Sequence, residues 1–233
     1  MIKIFLFVFN RPDILELQVN TLRKFIKNNV EIIAIQDKHC DTYDEEFSNI
    51  CSRLNITLHQ HQANITNSPS QYHADSVQFV YDNLIGDNDL VLFLDHDMFA
   101  IDDIDLLEYI KGFDVAGLYQ HRGNITYLWP GITLFKYNSI KDVDFNFSPT
   151  HNLDTGGGTY KLFESNLKIK DTGVEYPEYY NNLSLDKFNY PFELHMDKKF
   201  LHMRNACQWN NNFQVTDLDK TEVLKQILND ICE

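Results

Sequence analysis

The strongest constraint on the fold is an uninterrupted apolar run that ends in two carboxylates. Leu90 to Leu94 carry only apolar side chains, and Asp95-His96-Asp97 follows at once. Such a run is typical of a strand buried on both faces of an α/β sheet, because a strand with one face in water alternates apolar and polar residues. The two aspartates would therefore stand at the carboxyl end of a central strand, where open α/β sheets bind ligands.

The first half of the chain alternates strand and helix patterns. Strands are predicted at residues 2–9, 31–36, 56–59 and 90–94, and helices at residues 12–28, 43–54 and 70–85. This succession predicts an α/β fold with a mainly parallel central sheet, right-handed crossovers and helices on both faces. With 233 residues, of which 43% are hydrophobic, the chain is expected to form a single domain over residues 1–233.

The second half of the chain is less regular. Helices are predicted at residues 104–111, 157–164 and 220–231, and strands at 114–118, 127–135 and 199–203. The strand at 127–135 contains Pro130-Gly131, which predicts an interruption or a hairpin. Residues 176–189 are rich in Asn and Tyr and have no clear period.

Charge and cysteine content restrict the partners and the compartment. The formal net charge is -14, which argues against nucleic acid or an anionic membrane as a partner. No apolar run approaches membrane-spanning length, and the apolar start is short and lacks a small-residue cleavage site. The four cysteines are scattered without CxxC spacing, which predicts reduced thiols in a cytoplasmic protein.

The spacing of Asp95 and Asp97 points to a cation. Alternate residues at a strand end project the same way, and two like charges that close repel each other unless a cation lies between them. Mg²⁺ or Mn²⁺ takes oxygen ligands and keeps coordination sites for phosphate. The alternative is that the two aspartates only cap a helix beginning near Asp102 or Asp103. From these three residues alone, both interpretations stay open.

Several short segments, taken in order, resemble a known family. Asn10-Arg11-Pro12 follows the first predicted strand, Asp37 ends the second, and Asp95-His96-Asp97 ends the fourth. This order resembles the GT-A glycosyltransferases, the nucleotide-sugar-dependent class with a DxD motif. Phe200-Leu-His202-Met-Arg204 also resembles the C-terminal segment in which many members place a metal-binding histidine. The resemblance covers most of the chain and is strongest up to about residue 101.

The resemblance implies a fold and an activity. The fold would be the Rossmann-like GT-A fold, with residues 1–101 binding the nucleotide sugar and residues 102–233 binding the acceptor. The activity would be metal-dependent transfer of a sugar from a UDP- or GDP-sugar to a glycan or other hydroxyl acceptor, with inversion of configuration. A retaining transferase, or a catalytically inactive carbohydrate-binding protein of the same fold, remains the alternative.

The resemblance also implies a metal site. Asp97 would coordinate Mn²⁺ or Mg²⁺ directly, and Asp95 would help through water or by contacting the ribose. His202 would complete the protein ligands, and its imidazole favours Mn²⁺ over Mg²⁺. The alternative for His202 is a buried histidine satisfied by a backbone carbonyl.

Donor-binding candidates come from both halves of the chain. Asp37 could accept a hydrogen bond from a uracil or guanine ring N–H, and Asn10 and Arg11 could lie near the base or phosphates. His73 stands at the beginning of a predicted helix whose amides favour an anion such as a diphosphate, and Arg204 is placed with the same donor group. The alternative is that Asn10 and Arg11 belong to an ordinary turn and helix start.

Asp154 is the candidate catalytic base. An inverting transferase needs a carboxylate that takes the proton from the acceptor hydroxyl. Asp154 follows the acceptor-side strand and precedes Gly156 to Gly158, which would let backbone approach a sugar closely. The alternative is that Asp154 and Thr155 simply start a helix. In a retaining enzyme, Asp154 would bind donor or acceptor hydroxyls instead.

The two tryptophans are candidates for sugar binding, and two other enzyme classes fit the sequence less well. Trp129 and Trp209 could stack on sugar faces, although core packing is the alternative for each. A sugar nucleotidyltransferase should have a glycine-rich loop after its first strand, and Phe9 to Asp13 contains no glycine. A haloacid-dehalogenase-type phosphatase carries its Asp-X-Asp pair on the first strand, whereas here the pair is at mid-chain.

Overall fold

A computed structural model describes residues 1–38, 43–62, 68–180, 183–185, 191–204, 206 and 215–232. The strands are β1 (Ile2–Val8), β2 (Glu31–Asp37), β3 (Thr57–His61), β4 (Leu90–Asp95), β5 (Met98–Ala100), β6 (Val115–Arg122), β7 (Ile125–Lys136), β8 (Ile169–Asp171), β9 (Val174–Glu175), β10 (Tyr179–Tyr180), β11 (Leu183–Ser184), β12 (Glu193–His195) and β13 (Phe200–His202). The helices are α1 (Pro12–Phe25), α2 (Asp44–Leu54), α3 (Pro69–Asn83), α4 (Leu106–Tyr109), α5 (Tyr137–Ile140), α6 (Tyr160–Phe163) and α7 (Val215–Cys232).

The central sheet has seven strands in the order β3-β2-β1-β4-β7-β6-β8. Strands β3, β2, β1 and β4 run parallel, and β8 is parallel to β6, whereas β7 is antiparallel to both of its neighbours. The predicted α/β class with a mainly parallel sheet is therefore confirmed. Phe7 of β1 is paired with Asp95 of β4, so the carboxyl ends of these two central strands lie side by side.

Helices cover both faces of this sheet, as predicted. Ile4 and Leu6 of β1 lie in a core with apolar residues of α1 and α2, and Phe5 and Phe7 lie in a second core with residues of α3. The alternation explains the unbroken apolar pattern of β1 and β4, because each strand needs apolar side chains on both faces. The carboxyl ends of the parallel strands are left as the polar edge.

A smaller antiparallel sheet begins directly after Asp97. Its strand order is β5-β13-β12-β9. His202 of β13 is paired with Met98 on one side and with Glu193 on the other. The strand predicted at 199–203 is thus confirmed, and its pairing with β5 brings His202, which is remote in sequence, beside Asp97.

Three of the elements predicted in the second half take a different form in the structure. Strand β7 continues through Pro130-Gly131 without interruption. The pairing with β6 shifts register at this point, so Pro130, which has no N–H, needs no hydrogen-bond partner on β6. The helix predicted at 157–164 is a 3-10 turn (Gly157–Thr159) followed by α6. Helix α7 begins at Val215 rather than at residue 220.

Among the residues that the structure describes, no helix has the length and apolar character needed to cross a bilayer.

Candidate active site

Asp97 is a buried carboxylate with one oxygen held by the backbone. Its side chain is 4% exposed. Its Oδ2 accepts a hydrogen bond from the Ala206 N–H at 3.3 Å, and its main-chain carbonyl accepts one from the Met203 N–H at 2.9 Å. The other oxygen, Oδ1, makes no hydrogen bond with a described residue and lies 3.4 Å from His202 Nε2. The C-terminal strand therefore fixes Asp97 and supplies the histidine that faces it.

His202 lies between two acidic side chains. Its Nε2 faces Asp97, and its Nδ1 lies 2.9 Å from Glu193 Oε2. Burial alone would lower the pKa of His202, but the two carboxylates outweigh it and raise the pKa to about 9. Burial would likewise raise the pKa of Asp97, yet the charge of His202 lowers it to about 2. The corner between Asp97 and His202 therefore attracts positive charge.

The donor set at this corner fits a divalent cation. A buried carboxylate oxygen without a hydrogen bond is rare unless an ion or water belongs beside it. Adjacent ligands of an octahedral ion with bonds of about 2.1 Å stand about 3 Å apart, and Asp97 Oδ1 and His202 Nε2 are 3.4 Å apart. One carboxylate oxygen and one imidazole nitrogen are a mixed pair that suits Mn²⁺ better than Mg²⁺. The predicted ligands Asp97 and His202 are thus brought together.

Asp95, the other predicted ligand, faces a histidine. Its Oδ1 lies 3.0 Å from Nε2 of His73, which stands one turn after Pro69, the first residue of α3. Burial would lower the pKa of His73, but the charges of Asp95, Asp154 and Asp97 outweigh it and raise the pKa. A positive ring is therefore favoured among three carboxylates, at the place where an anionic group of a ligand could be met.

A cavity of about 260 Å³ opens at the carboxyl ends of β1, β2 and β4. We call it the strand-end cavity. Residues from the strand ends line its floor. Its wall is formed by Trp129 of β7, by the start of α3 and by the loop between α5 and α6. The full lining is Phe7, Val8, Phe9, Ile35, Asp37, Pro69, Ser70, His73, Ser76, Asp95, His96, Trp129, Asp154 and Thr155. The predicted donor residues Asp37 and His73 both belong to it. This is the end of an α/β sheet at which ligands bind.

A second cavity of about 480 Å³ lies between the central and the smaller sheet. We call it the cleft. It is lined by Asp95, Asp97, Leu118, Gln120, Arg122, Tyr127, Trp129, Asp154, Val174, Tyr176, Glu193, His202 and Arg204. Asp95, Trp129 and Asp154 line both cavities. The two cavities therefore meet at these three residues, and the Asp97–His202 corner lies on the cleft side of that junction.

Asp154 lies in the loop between α5 and α6 and is held there by the start of α3. Its Oδ1 accepts hydrogen bonds from Ser70 Oγ at 2.5 Å and from the Thr155 N–H at 2.8 Å. Thr155 Oγ1 donates in return to the Ser70 carbonyl at 2.9 Å. Gly156 follows with a φ of 87°, and a Cβ there would stand 2.1 Å from the Leu128 carbonyl oxygen. Only glycine fits this close turn, which aims Asp154 at the junction.

Trp129 is half-buried at the junction and packs on the histidines. Its ring lies 5.3 Å from the His202 ring and 6.3 Å from the His195 ring. A Cβ on Gly131 would stand 2.2 Å from the indole, so a glycine is needed for the ring to lie there. Trp209, the other predicted stacking residue, lies outside the described residues.

Arg204 lines the cleft, and its side chain is partly exposed. Its Nη1 lies 3.3 Å from Glu193 Oε1. The predicted donor contact from Arg204 is thus possible at the cleft mouth. Asn10, in contrast, is not among the described residues that line either cavity. The chain here contributes Phe7 and Val8 of β1 and the next residue, Phe9.

Arg11 is also absent from the described lining of both cavities. Its side chain is 5% exposed and forms two hydrogen bonds to Asp13, each of 2.7 Å. It also donates to Thr221 Oγ1 at 3.0 Å and to the Ala206 carbonyl at 3.4 Å. The guanidinium therefore joins the start of α1 to α7 and to the segment that holds Asp97.

This position predicts a stability role for Arg11. Arg11→Met keeps the aliphatic stem and removes the buried bonds to Thr221 and Ala206, so we expect the free energy of unfolding to fall by about 2–3 kcal/mol. Chemical denaturation measures the change. Arg53→Met is the control, because Arg53 is 57% exposed and its ion pair with Glu16 lies at the surface, where an ion pair contributes little to stability. An unfolding free energy for Arg11→Met equal to that of the control would contradict this role.

Three residues near the site are not among those that the sequence predicted. Ser70 orients Asp154, and Glu193 and His195 lie beneath His202 with at most 6% of their surface exposed. The alternation of Glu193 and His195 within a strand-like stretch was the available signal, because it puts a carboxylate and an imidazole on one face of β12. Ser70 left no signal, since a serine near a helix start is commonplace.

Comparison with known proteins supports the fold through structure rather than sequence. No protein-family model matches the sequence, and no curated protein matches it. The mannosyltransferase PcManGT from Pyrobaculum calidifontis, solved with GDP-Man and Mn²⁺, superposes with a TM-score of 0.55 at 8% identity over 81% of this chain. This chain spans 58% of the length of that enzyme.

Two further solved structures are similar at lower scores. TarS of S. aureus gives a TM-score of 0.49 at 16% identity, over 72% of this chain and 56% of TarS. The galactosyltransferase LgtC, solved with donor and acceptor sugar analogues, gives 0.48 at 11% identity, over 73% of each chain. The similar structures are GT-A glycosyltransferases. With its seven-stranded, mostly parallel sheet, the chain has the GT-A fold of the nucleotide-sugar-dependent glycosyltransferases.

Proposed function

We propose that this protein is a metal-dependent glycosyltransferase that moves a sugar from a UDP- or GDP-sugar to a hydroxyl acceptor. The observation that carries the proposal is the junction of the two cavities at Asp95, Trp129 and Asp154. A nucleotide in the strand-end cavity would present its sugar at this junction, and an acceptor in the cleft would meet it there. The Mn²⁺ and GDP-Man bound by PcManGT support the same class of donor.

The strand-end cavity has the groups that a nucleoside needs. Asp37 is buried at its floor, and its carboxylate can accept a hydrogen bond from the ring N–H of uracil or guanine. Phe7 and Phe9 supply apolar surface for a flat base. His73, whose pKa is raised by its acidic neighbours after the cost of burial, offers a positive charge to a diphosphate. We infer that this cavity selects the nucleotide.

The Asp97–His202 corner would hold the divalent cation. When bound, such an ion acts as a Lewis acid that stabilises the charge developing on a diphosphate leaving group. Asp97 supplies the anionic ligand and His202 the nitrogen ligand, both fixed by the pairing of β5 with β13. Arg204, at the mouth of the same cleft, can donate hydrogen bonds to phosphate oxygens.

Asp154 is the base of this proposal. Its Oδ1 is occupied by hydrogen bonds from Ser70 and Thr155, so its Oδ2 is the oxygen that takes the proton from the acceptor hydroxyl. Attack from the side opposite the leaving nucleotide inverts the anomeric centre. With retention, Asp154 would bind sugar hydroxyls without taking the proton, and its loss would reduce binding rather than the chemical step.

Donor turnover without an acceptor tests the proposal directly. UDP-glucose, UDP-galactose, UDP-GlcNAc and GDP-mannose are each incubated with the protein in Mn²⁺ or in EDTA, and nucleotide release is measured. We expect slow hydrolysis of one donor in Mn²⁺ and none in EDTA. Absence of turnover for every donor, together with metal-independent glycan binding on an array, would favour the inactive carbohydrate-binding alternative.

The pKa of His202 predicts how Mn²⁺ binding depends on pH. In the metal-free protein the ring has a pKa of about 9, so at neutral pH an incoming ion must displace a proton from it. Apparent affinity should therefore rise with pH from 6 to 8, by up to about tenfold per pH unit. Asp97, with its pKa lowered to about 2, is ionised throughout this range and adds no slope.

Electron paramagnetic resonance of free Mn²⁺ measures this affinity. His202→Gln is the control, because an amide ligand does not titrate and its weaker affinity should not vary with pH. A wild-type affinity that is constant from pH 6 to pH 8 would contradict the assignment of His202 as a ligand.

A further inference from the structure

Glu193 contacts His202 on the side of the ring away from Asp97, and the pairing of β12 with β13 fixes its position. It is 6% exposed and directly opposite His202 in the antiparallel pairing of β12 with β13. Burying a carboxylate is costly unless donors surround it. Here its Oε2 lies 2.9 Å from His202 Nδ1 and 3.3 Å from His195 Nε2, and its Oε1 lies 3.3 Å from Arg204 Nη1.

These contacts decide which nitrogen of His202 carries a proton. A neutral imidazole has one N–H, and an ionised carboxylate can only accept. Because Nδ1 is at hydrogen-bond distance from Glu193, the single proton belongs on Nδ1. The lone pair of Nε2 is then directed at Asp97 Oδ1, which itself makes no hydrogen bond with a described residue. In this neutral form of the ring, which an incoming cation creates by displacing the second proton, two lone pairs face each other at 3.4 Å and leave a place for the cation.

We propose that Glu193 is a positioning residue that keeps the proton of His202 on Nδ1, so that Nε2 is free to bind the divalent cation. The inference rests on the proposed function, because it gives a role to the second layer of the same metal corner. Without Glu193, the proton would move to Nε2, and the Nε2–H group would donate a hydrogen bond to Asp97. The ring would then occupy the metal corner with its own N–H.

Metal affinity in three variants tests this role. In Glu193→Ala we expect Mn²⁺ affinity, measured by paramagnetic resonance without nucleotide, to fall by about 10- to 100-fold, the usual effect of losing such a partner. Glu193→Gln keeps an oxygen that can accept from Nδ1, so its loss should be below tenfold. Glu175→Ala is the matched control. Glu175 is an exposed carboxylate of the same small sheet, paired with Lys198, and its removal should leave the affinity unchanged.

A second measurement reads the tautomer without any metal. Nitrogen-15 chemical shifts of His202, recorded at a pH where the ring is neutral, should place the proton on Nδ1 in the wild type and in Glu193→Gln. They should place it on Nε2 in Glu193→Ala. This readout does not follow from a change in stability, and thermal unfolding of each variant shows separately whether the fold is kept.

The outcomes separate this inference from the proposed function. If the wild type binds no Mn²⁺, the proposed function fails, and the tautomer measurement still decides the role of Glu193. Equal affinities of the wild type and Glu193→Ala, or an unchanged tautomer in Glu193→Ala, would overturn the inference. It would also be overturned by a second bound metal that is lost in His195→Ala and kept in Asp97→Asn, because Glu193 would then be a metal ligand itself.

Discussion

Replacing Asp97 by asparagine is expected to remove both metal binding and donor turnover. The substitution keeps the shape of the side chain and an oxygen that can accept from the Ala206 N–H, so the fold should survive. It removes the negative charge that would hold the ion at the Asp97–His202 corner. Because a bound ion contributes several kcal/mol to the stabilisation of the leaving group, donor turnover should fall by about 10²- to 10³-fold. Nucleotide release in saturating donor and Mn²⁺ measures the effect.

Asp102→Asn is the matched control for this substitution. Asp102 lies five residues after Asp97 in the chain, is 61% exposed and forms an ion pair with Lys199 at the surface. Its loss should leave turnover within about twofold, because an exposed ion pair contributes little. Turnover by Asp97→Asn at the level of this control would show that the metal corner is not part of the reaction.

The second large effect is expected at Asp154. Asp154→Asn cannot take a proton, while Ser70 and Thr155 can still donate to its amide oxygen. For an inverting transferase we expect kcat to fall by about 10²- to 10⁴-fold, the usual contribution of a general base, with little change in donor affinity. Steady-state kinetics, with donor affinity measured separately by calorimetry, gives both quantities.

Glu164→Gln is the comparison for Asp154. Glu164 is an exposed carboxylate just after α6 and makes no contact with either cavity within the described chain. A kcat for Asp154→Asn close to that of Glu164→Gln would remove Asp154 as the base. A large loss of donor affinity with kcat unchanged would instead assign Asp154 to hydroxyl binding, as in a retaining enzyme.

The sequence carried most of the information on the first half of the fold. Strands β1 and β4 are apolar at almost every position, because their side chains alternate between two cores. Helix α1 has one apolar face and one polar face, because only one side of it packs on the sheet. The smaller sheet was largely missed. Strands β5, β9 and β12 have two or three residues each, and a strand that short has no measurable period. Its existence depends on pairing between segments about 100 residues apart.

The candidate site was predictable where a residue's type and its place at a strand end coincided. That Asp97 and His202 lie close together could be predicted only from the resemblance to the GT-A enzymes. Nothing in either local sequence indicates that β5 and β13 are neighbouring strands. For Arg11, residue type and position suggested a role that differs from the contacts in the structure. An arginine after the first strand suggests a phosphate contact, yet the structure uses it to join α1 to α7, because its direction is set by Asp13 and Thr221.

Calorimetric titration of UDP, GDP, CDP and ADP into the purified protein, first with Mn²⁺ and then with EDTA, shows whether the protein binds a nucleotide through a divalent ion. We expect one nucleotide, UDP or GDP, to bind in Mn²⁺. Chelation should weaken this binding by at least about tenfold, since the ion would be held by Asp97 and His202 and would attract the diphosphate. Binding of no nucleotide under either condition would contradict the assignment of the strand-end cavity and of the transferase function.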